Sequence, residues 1–342
     1  YKALAFLGDR KKDSARVEFN RADDRQRRAV EQFSKERQNL AKSLEAQSQQ
    51  DPSVDYNSTL QAAVGNKDFV ERMQAIDKWG SYGPFVNPLA TYLHGLFFLH
   101  QTGSDAEKGR ASIERVVGLA PNNPTVRSDM ELVKQGRIKE KRRAWIVLEN
   151  GQGASLQEFR IDLPIGLIVP DSNLAYTGIA LPELVANQNA YRHLIAKTGE
   201  AQINTAPLSS MDRVIASEFK QRMPATVTRA VVSAVVKSAA QYAISQAAQS
   251  NSQQNQGVAF FATLAAGIAQ ASTTSADVRS WIALPKEFQV GRVDLDSESE
   301  LSLYSDQGFP LGSIQLPGDA SCIIYIKTYA AGAFPAIQVI PL

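Results

Sequence analysis

The sequence predicts an α+β protein, because helix-forming patterns fill its first part and strand-forming patterns fill most of its second part. In the first part, apolar side chains recur every three or four residues, as they do on one face of a helix. In the second part, short runs rich in Val, Ile and aromatic residues are separated by Gly, Pro or Asp. We therefore expect an all-α domain over residues 1–140 and an α+β domain over residues 141–342. The boundary should lie between Gln135 and Ala144, where the helical period gives way to the strand pattern.

The composition is that of a soluble globular protein. Of the 342 residues, 44% are hydrophobic and 21% are charged, and the formal net charge is +2. So small a net charge provides no long-range attraction for nucleic acid, and we expect no nucleic-acid partner. Cys322 is the only cysteine, so it cannot form a disulfide within the chain. We expect a buried thiol there rather than a metal ligand.

Three helices near the end of the first part have clear start and stop signals. Asn87-Pro88 opens the first, Gly103-Ser104 turns the chain into the second, and that helix ends at Pro121. A third helix starts after Pro124. Gly95 in the first helix should let the second approach closely. This pattern resembles a tetratricopeptide unit, so we expect the helical domain to be tetratricopeptide-like.

A long stretch of small residues interrupts the strand pattern of the second part. Over residues 209–285 we expect three consecutive helices, with Pro224 in the first turn of the second, where its missing N–H is tolerated. A short polar spacer separates the second helix from the third, and such links usually join antiparallel neighbours. We therefore expect a helical hairpin over residues 225–271, packed on a mostly antiparallel sheet.

Two interpretations of this hairpin stay open: a buried core hairpin, or a contact between subunits of an oligomer. A membrane span is disfavoured, because a span needs about 20 apolar residues and Arg229 and Lys237 lie in the middle of the second helix. Together with Ser233 and Gln241, these cations form a polar stripe. The stripe should face water or a neighbouring subunit, since burying unpaired cations is unfavourable.

Strands are predicted on both sides of the helical stretch. Residues 144–151 and 156–164 should pair as a β-hairpin around the turn between them. A third short strand lies within residues 173–184, and five more follow Pro285.

No recognised motif for catalysis, phosphate binding or dinucleotide binding is present. His94 and His100 do not have the i, i+4 spacing of a helical zinc site. We therefore expect no enzymatic activity and no cofactor.

The most distinctive short cluster contains Arg279 and Trp281. We expect Trp281 to be buried and to anchor the helical hairpin on the sheet; the alternative is a contact with a partner protein. The candidate partner-binding residues are Tyr92, Leu96, Arg229, Lys237, Arg279 and Trp281.

Five stretches, in order along the chain, carry a family resemblance. They are VLENG (147–151), IDLP (161–164), GIALPEL (178–184), MDRVIASEFKQRMPATVTRAV (211–231) and ADVRSWIALPKEFQVGRV (276–293). The chain thereby resembles an uncharacterised family of Gram-negative cell-envelope lipoproteins with a tetratricopeptide-like N-terminal half, often encoded beside lipoproteins of the penicillin-binding-protein-activator type. The resemblance implies export and a lipidated N-terminal cysteine. No cysteine lies near Tyr1, so such an anchor would lie upstream, and the family supplies no catalytic residues.

These observations favour a non-enzymatic cell-envelope scaffold or assembly protein. It would face the periplasm, be tethered to the outer membrane and bind other envelope proteins through its helical repeat domain. A second hypothesis is a ring-forming or pore-associated subunit of a secretion or transport assembly, which oligomerises through the helical hairpin. An enzyme of unrecognised type is the third. The first residues do not form a complete signal peptide, so the protein is either cytosolic or its targeting segment lies outside this sequence.

Overall fold

The structure is a computed structural model that describes residues 1–50, 56–80, 82, 86–164, 176–249 and 275–342. The described chain is a mixed α+β protein in which helices come first and sheets follow, as the sequence predicts. The first seven helices are α1 (Lys2–Gly8), α2 (Lys12–Gln50), α3 (Tyr56–Val64), α4 (Lys67–Asp77), α5 (Pro88–Leu99), α6 (Ser104–Leu119) and α7 (Pro124–Lys134). An eighth, α8 (Met211–Gln249), interrupts the strands.

The strands in the described part of the chain form three sheets. They are β1 (Arg142–Asn150), β2 (Ser155–Pro164), β3 (Tyr176–Val185), β4 (Leu194–Thr198), β5 (Ala201–Asn204), β6 (Ala206–Ser210), β7 (Glu287–Leu295), β8 (Glu300–Ser305), β9 (Pro310–Gln315), β10 (Cys322–Thr328) and β11 (Ala336–Pro341). The central sheet has the order β11-β10-β1-β7-β6, a four-stranded sheet has the order β5-β4-β8-β9, and β2 and β3 form a ribbon. Among these pairs only β1 and β10 are parallel, so the prediction of mostly antiparallel sheets is confirmed.

The predicted β-hairpin between the first two strands is wrong. β1 lies between β10 and β7 in the central sheet, whereas β2 pairs with β3. Every residue of β1 after Arg142 is buried, because the apolar run of this strand needs cover on both faces and neighbours on both edges. The turn after β1 takes the chain out of the sheet. Gly151 has a φ of 68° there, and a Cβ atom at this position would lie 2.5 Å from the Gln188 carbonyl oxygen.

The central sheet has a core on each face, because successive side chains of a strand point to opposite sides. Trp145 and Val147 of β1 pack with the helices α1, α2, α5, α6 and α7. Ile146 and Leu148 pack with the four-stranded sheet. Cys322, at the start of β10, joins this second core as the predicted buried thiol, and its burial raises the pKa of the thiol to about 11.

The predicted boundary between Gln135 and Ala144 marks the change from helices to strands, but it does not separate two cores. A single hydrophobic cluster joins helical residues such as Met130 and Ile138 to Trp145 of the central sheet. The connecting segment is also held in place by Arg143, which is buried. Its guanidinium donates to the Ile138 carbonyl at 2.7 Å and to Asp294 of β7 at 2.7 Å. The two expected domains therefore share one interior.

Close packing of α5 against α6 confirms the expected role of Gly95. A Cβ atom on Gly95 would lie 2.7 Å from Ile113 Cδ1, and one on Gly109 would lie 2.5 Å from the Leu99 backbone nitrogen. Asn87 caps α5 through a 3.0 Å bond from the Leu89 N–H to its side-chain oxygen, with Pro88 in the first turn. These contacts define one helical pair, and a tetratricopeptide repeat is not established by them.

The helix α8 runs without interruption through Pro224, so the expected helix boundary there is wrong. Proline inside a helix is unfavourable by about 3 kcal/mol. The Pro224 ring is exposed, while Met223 and Val227 on either side of it are buried in one core with the β2–β3 ribbon. Because α8 packs against the same ribbon before and after Pro224, the two parts of the helix stay on a common axis. The expected third helix and its antiparallel packing, residues 257–271, lie outside the described residues.

Candidate functional site

A groove of about 930 Å³ lies between α8, the β2–β3 ribbon and residues 275–284. We refer to it as the α8 groove. Four of the six candidate partner-binding residues line it: Arg229, Lys237, Arg279 and Trp281. These residues are spread over 53 positions of the chain, and the fold brings them to one surface.

The floor of the α8 groove is apolar. It is formed by Ile179 and Leu184 of β3 and by Phe219 and Met223 of α8, and these side chains belong to the core that α8 shares with the ribbon. Because the floor is continuous with a packed core, its shape is held by the fold rather than by loop side chains. On the α8 side the groove is lined partly by small residues such as Ala230, whose side chains fill little of its volume.

Cationic side chains predominate along the rim. The groove is lined by five cationic and three acidic side chains. The cations are Arg160, Arg222, Arg229, Lys237 and Arg279, and the acids are Glu36, Glu218 and Asp277. Arg222 pairs with Glu218 at 2.9 Å, and Arg160 pairs with Glu158 at 3.1 Å. Arg229 is exposed and Lys237 is half-buried, and neither has an ion-pair partner among the residues that the structure describes. The prediction that these two stripe residues stay out of the subunit core is confirmed; the Gln241 side chain lies outside the described part.

The third wall, residues 275–284, is fastened to the ribbon at its start and its end. The Ala276 N–H donates to Glu158 Oε2 at 2.8 Å, and the Gly153 N–H donates to the Leu284 carbonyl at 2.8 Å. Between these points Arg279 bonds both carboxylate oxygens of Asp277, at 2.8 and 2.7 Å. This pairing lowers the pKa of Asp277 to about 2 although both side chains are exposed. Arg279 is thus an exposed surface residue of the groove wall.

The expectation that Trp281 is buried is wrong. Its side chain is 73% exposed, and the neighbouring Ile282 is 78% exposed. Both residues follow the Asp277–Arg279 pair, in a segment of irregular backbone and turns that belongs to no helix or strand. A turn that is bonded to the ribbon only at its ends leaves the side chains between those ends outside the core. Trp281 therefore does not anchor α8, and the alternative of a partner contact stays a prediction.

Tyr92 and Leu96 do not belong to this surface. Both side chains are fully buried under the helical layer. The Tyr92 hydroxyl donates to Asp129, whose carboxylate also accepts from Trp145 Nε1 at 3.2 Å and from Arg292. This buried network joins α5 and α7 to the central sheet. Tyr92 and Leu96 are core residues, because the face of α5 that carries them is covered by the sheet rather than exposed as a concave surface.

Several groove residues were not predicted from the sequence. Phe219 and Met223 look like ordinary core positions of a helix, and Arg160 and Arg222 look like ordinary surface charges. The only signal that could have found them is the one that identified Arg229 and Lys237, namely a polar stripe on an otherwise apolar helix.

Two kinds of feature are lacking from the part of the chain that the structure describes. No three His, Cys, Asp or Glu side chains come together there as metal ligands. None of its helices combines the length and the apolar character that crossing a bilayer requires.

The α8 groove combines an apolar floor, two cations without partners in the described part of the chain and an exposed tryptophan. Such a surface can bind an amphipathic acidic segment, because the floor would take its apolar side chains and the rim its carboxylates. No family model, no curated protein and no solved structure matches the chain.

Proposed function

We propose that this protein is a non-enzymatic scaffold or assembly protein of the cell envelope that binds an acidic, amphipathic segment of another envelope protein in the α8 groove. The observation that carries the proposal is the pair Arg229 and Lys237, which lie beside an apolar floor without ion-pair partners among the described residues. An excess of cations at the rim of an apolar site favours a partner of the opposite sign and raises its association rate. The exposed Trp281 supplies a large apolar contact of the kind enriched in binding hot spots.

The cellular setting of this proposal comes from the sequence resemblance. On that basis the protein faces the periplasm and is tethered to the outer membrane by a lipid anchor upstream of Tyr1. The α5–α6 pair, with its Gly95 contact, is proposed as a single tetratricopeptide-like unit. Since Tyr92 and Leu96 are buried, we place the partner contact on the α8 groove and not on this helical pair. Reading the gene upstream of Tyr1 tests the tether: a signal peptide ending at a lipidated cysteine is expected there.

Photo-cross-linking from the groove tests the binding function. A p-benzoylphenylalanine at Ser233, between the two stripe cations on α8, should cross-link in cells to a second envelope protein. The pair of substitutions Arg229→Glu and Lys237→Glu should abolish that product. The matched control is Arg110→Glu with Lys134→Glu, on α6 and α7, which changes the net charge equally and should leave the product unchanged. Thermal unfolding of each purified variant establishes that it is folded.

The alternative function gives a different product in the same experiment. If the protein is a ring-forming or pore-associated subunit, Ser233 should cross-link to a second copy of this chain. Light scattering should then show a mass above that of one chain, which falls after the double charge reversal. A cross-link that survives the charge reversal would contradict both functions.

A further inference from the structure

The end of the central sheet at which β1 finishes carries most of the exposed large apolar side chains. Eight such side chains are found among the described residues, and five of them lie in three loops at this end. The loops are residues 280–285, 306–309 and 329–335, and we refer to their combined surface as the loop face. The five side chains are Trp281, Ile282, Phe309, Tyr329 and Phe334.

Hydrogen bonds and a shared cavity relate the three loops to one another. Lys327 of β10 donates to the Ala283 carbonyl at 3.4 Å, and its Nζ lies 4.8 Å from the centre of the Tyr329 ring. The Gly332 N–H donates to the Tyr191 hydroxyl at 3.2 Å. Beside Tyr191, a cavity of about 650 Å³ is lined by both Phe309 and Phe334. The loop at residues 329–335 is therefore a neighbour of both other loops at this end of the sheet.

The exposure of these side chains is extreme for a protein surface. Phe334 is 100% exposed and Phe309 is 64% exposed, and each lies between two strands and precedes a proline. Single exposed apolar residues are ordinary, but a group of them on neighbouring loops indicates a binding surface. Asp306 is the only charged residue in the three loops. Placing the loops against an apolar phase would therefore remove few charges from water.

We propose that the loop face inserts its apolar side chains into the interfacial region of a lipid bilayer. The side chains stand on separate loop tips, and a fluid interface can accept them all together. Trp and Tyr favour such interfaces because their rings are apolar at one end and polar at the other. Arg192, an exposed residue that lines the same cavity and has no ion-pair partner among the described residues, is placed to contact lipid phosphates. This inference needs neither a lipid anchor nor a protein in the α8 groove, although Trp281 borders both surfaces and only one of the two partners can cover it at a time.

Vesicle flotation tests the inference on the 342-residue chain without any lipid anchor. The chain should float with neutral phosphatidylcholine vesicles, with little dependence on salt, because apolar insertion drives the binding. Phe309→Ser and Phe334→Ser should each lower the partition coefficient about tenfold, the loss expected for one phenylalanine that is no longer buried. Val17→Ser, an exposed valine on α2, is the matched control and should have no effect.

Tryptophan fluorescence gives a second readout. Of the three tryptophans, Trp145 is buried, Trp79 is half-buried and Trp281 is exposed. Vesicles should shift the emission to shorter wavelength, and Trp281→Phe should remove the shift while flotation persists. The inference is overturned if the chain does not float, if it binds only anionic vesicles and salt abolishes that binding, or if the two serine variants bind like the parent. A fall in oligomer mass in those variants, without vesicle binding by the parent, would assign the face to a protein partner instead.

Discussion

Two tryptophans of this protein occupy opposite environments. Trp145, in the middle of β1, is fully buried, donates to Asp129 and packs edge-on against His100 with ring centres 5.4 Å apart. Trp281 is 73% exposed on a turn beside the α8 groove. Because the residue type is the same, the two side chains should differ in how much they stabilise the folded protein only through the packing around each indole ring.

We predict that Trp145→Ala and Trp281→Ala differ sharply in their effect on stability. The first should lower the free energy of unfolding by about 3–5 kcal/mol, because it leaves a cavity and removes a partner of a buried carboxylate. The second should change it by no more than about 0.5 kcal/mol, as surface substitutions do. Urea unfolding followed by far-ultraviolet circular dichroism measures both. Similar losses for the two variants would contradict the burial described for them.

His100 should make stability depend on pH. Burial lowers the pKa of its imidazole to about 4, below the ordinary value of 6.5. Between these values the unfolded chain binds a proton that the folded protein does not, so the free energy of unfolding falls as the pH drops from 6.5 towards 4. The loss attributable to this group is up to roughly 3 kcal/mol.

The measurement is urea unfolding at a series of pH values across that window. His100→Gln should flatten the pH dependence, whatever its effect on stability at neutral pH. An unchanged slope in His100→Gln would show that the imidazole is charged or accessible in the folded protein.

At the scale of elements, glycine decides how closely α5 and α6 pack. Gly95 and Gly109 face each other across this pair, and a Cβ atom on Gly109 would lie 2.9 Å from the Gly95 carbonyl oxygen. Backbone atoms cannot rotate out of the way as side chains can. Gly118 lies on the same helix α6 but has no atom within 4 Å of its Cβ position.

We predict opposite effects for two identical substitutions in α6. Gly109→Ala should lower the free energy of unfolding by about 1–3 kcal/mol, because the added methyl group forces the helices apart. Gly118→Ala should raise it by up to about 1 kcal/mol, because alanine is the better helix former and nothing obstructs it. Thermal unfolding of the two variants distinguishes packing from helix propensity. Stabilisation by both substitutions would show that α5 and α6 do not touch at Gly109.

At the scale of the whole molecule, the central sheet unites the chain. The helical layer covers one of its faces and the four-stranded sheet covers the other. The buried carboxylate of Asp129 reinforces the first contact by accepting from Arg292 of β7 as well as from Tyr92 and Trp145. A buried ion pair loses much of its stabilisation when one partner is removed, since the other charge is then left unpaired.

We predict that the helical layer and the central sheet unfold together. Urea unfolding should show coincident transitions by circular dichroism, which reports mainly the helices, and by the fluorescence of a variant that combines Trp79→Phe with Trp281→Phe, in which Trp145 reports the core between the layers. Residues 1–140 expressed alone should not unfold cooperatively, because they lack the sheet face that covers Tyr92 and Leu96. Two separated transitions, or a fragment that folds cooperatively, would contradict this prediction and would support the two independent domains that the sequence pattern predicts.

Much of the local structure could be predicted from the sequence. Asn87-Pro88 marks the start of α5, Gly95 marks a close helix contact, and the runs after Pro285 mark the last five strands. Each of these depends on a few neighbouring residues, through capping, backbone freedom or the alternation of side chains. The stripe of Arg229 and Lys237 was also recognisable, because unpaired charge on an apolar helix must avoid the core.

Which elements cover one another depends on contacts between distant parts of the chain. The pattern of β1 shows that both of its faces are apolar, but its neighbours β7 and β10 come from the far end of the sequence. Pro224 would end an isolated helix, but α8 continues through it because both sides of the proline pack on the β2–β3 ribbon. Trp281 looks like a core residue because tryptophan is usually buried, yet its turn leaves the side chain 73% exposed. Local patterns therefore identify the apolar surfaces, because they depend on side-chain type and spacing alone. Tertiary contacts assign each surface to core, groove or exposed face, because that assignment depends on which distant element packs against it.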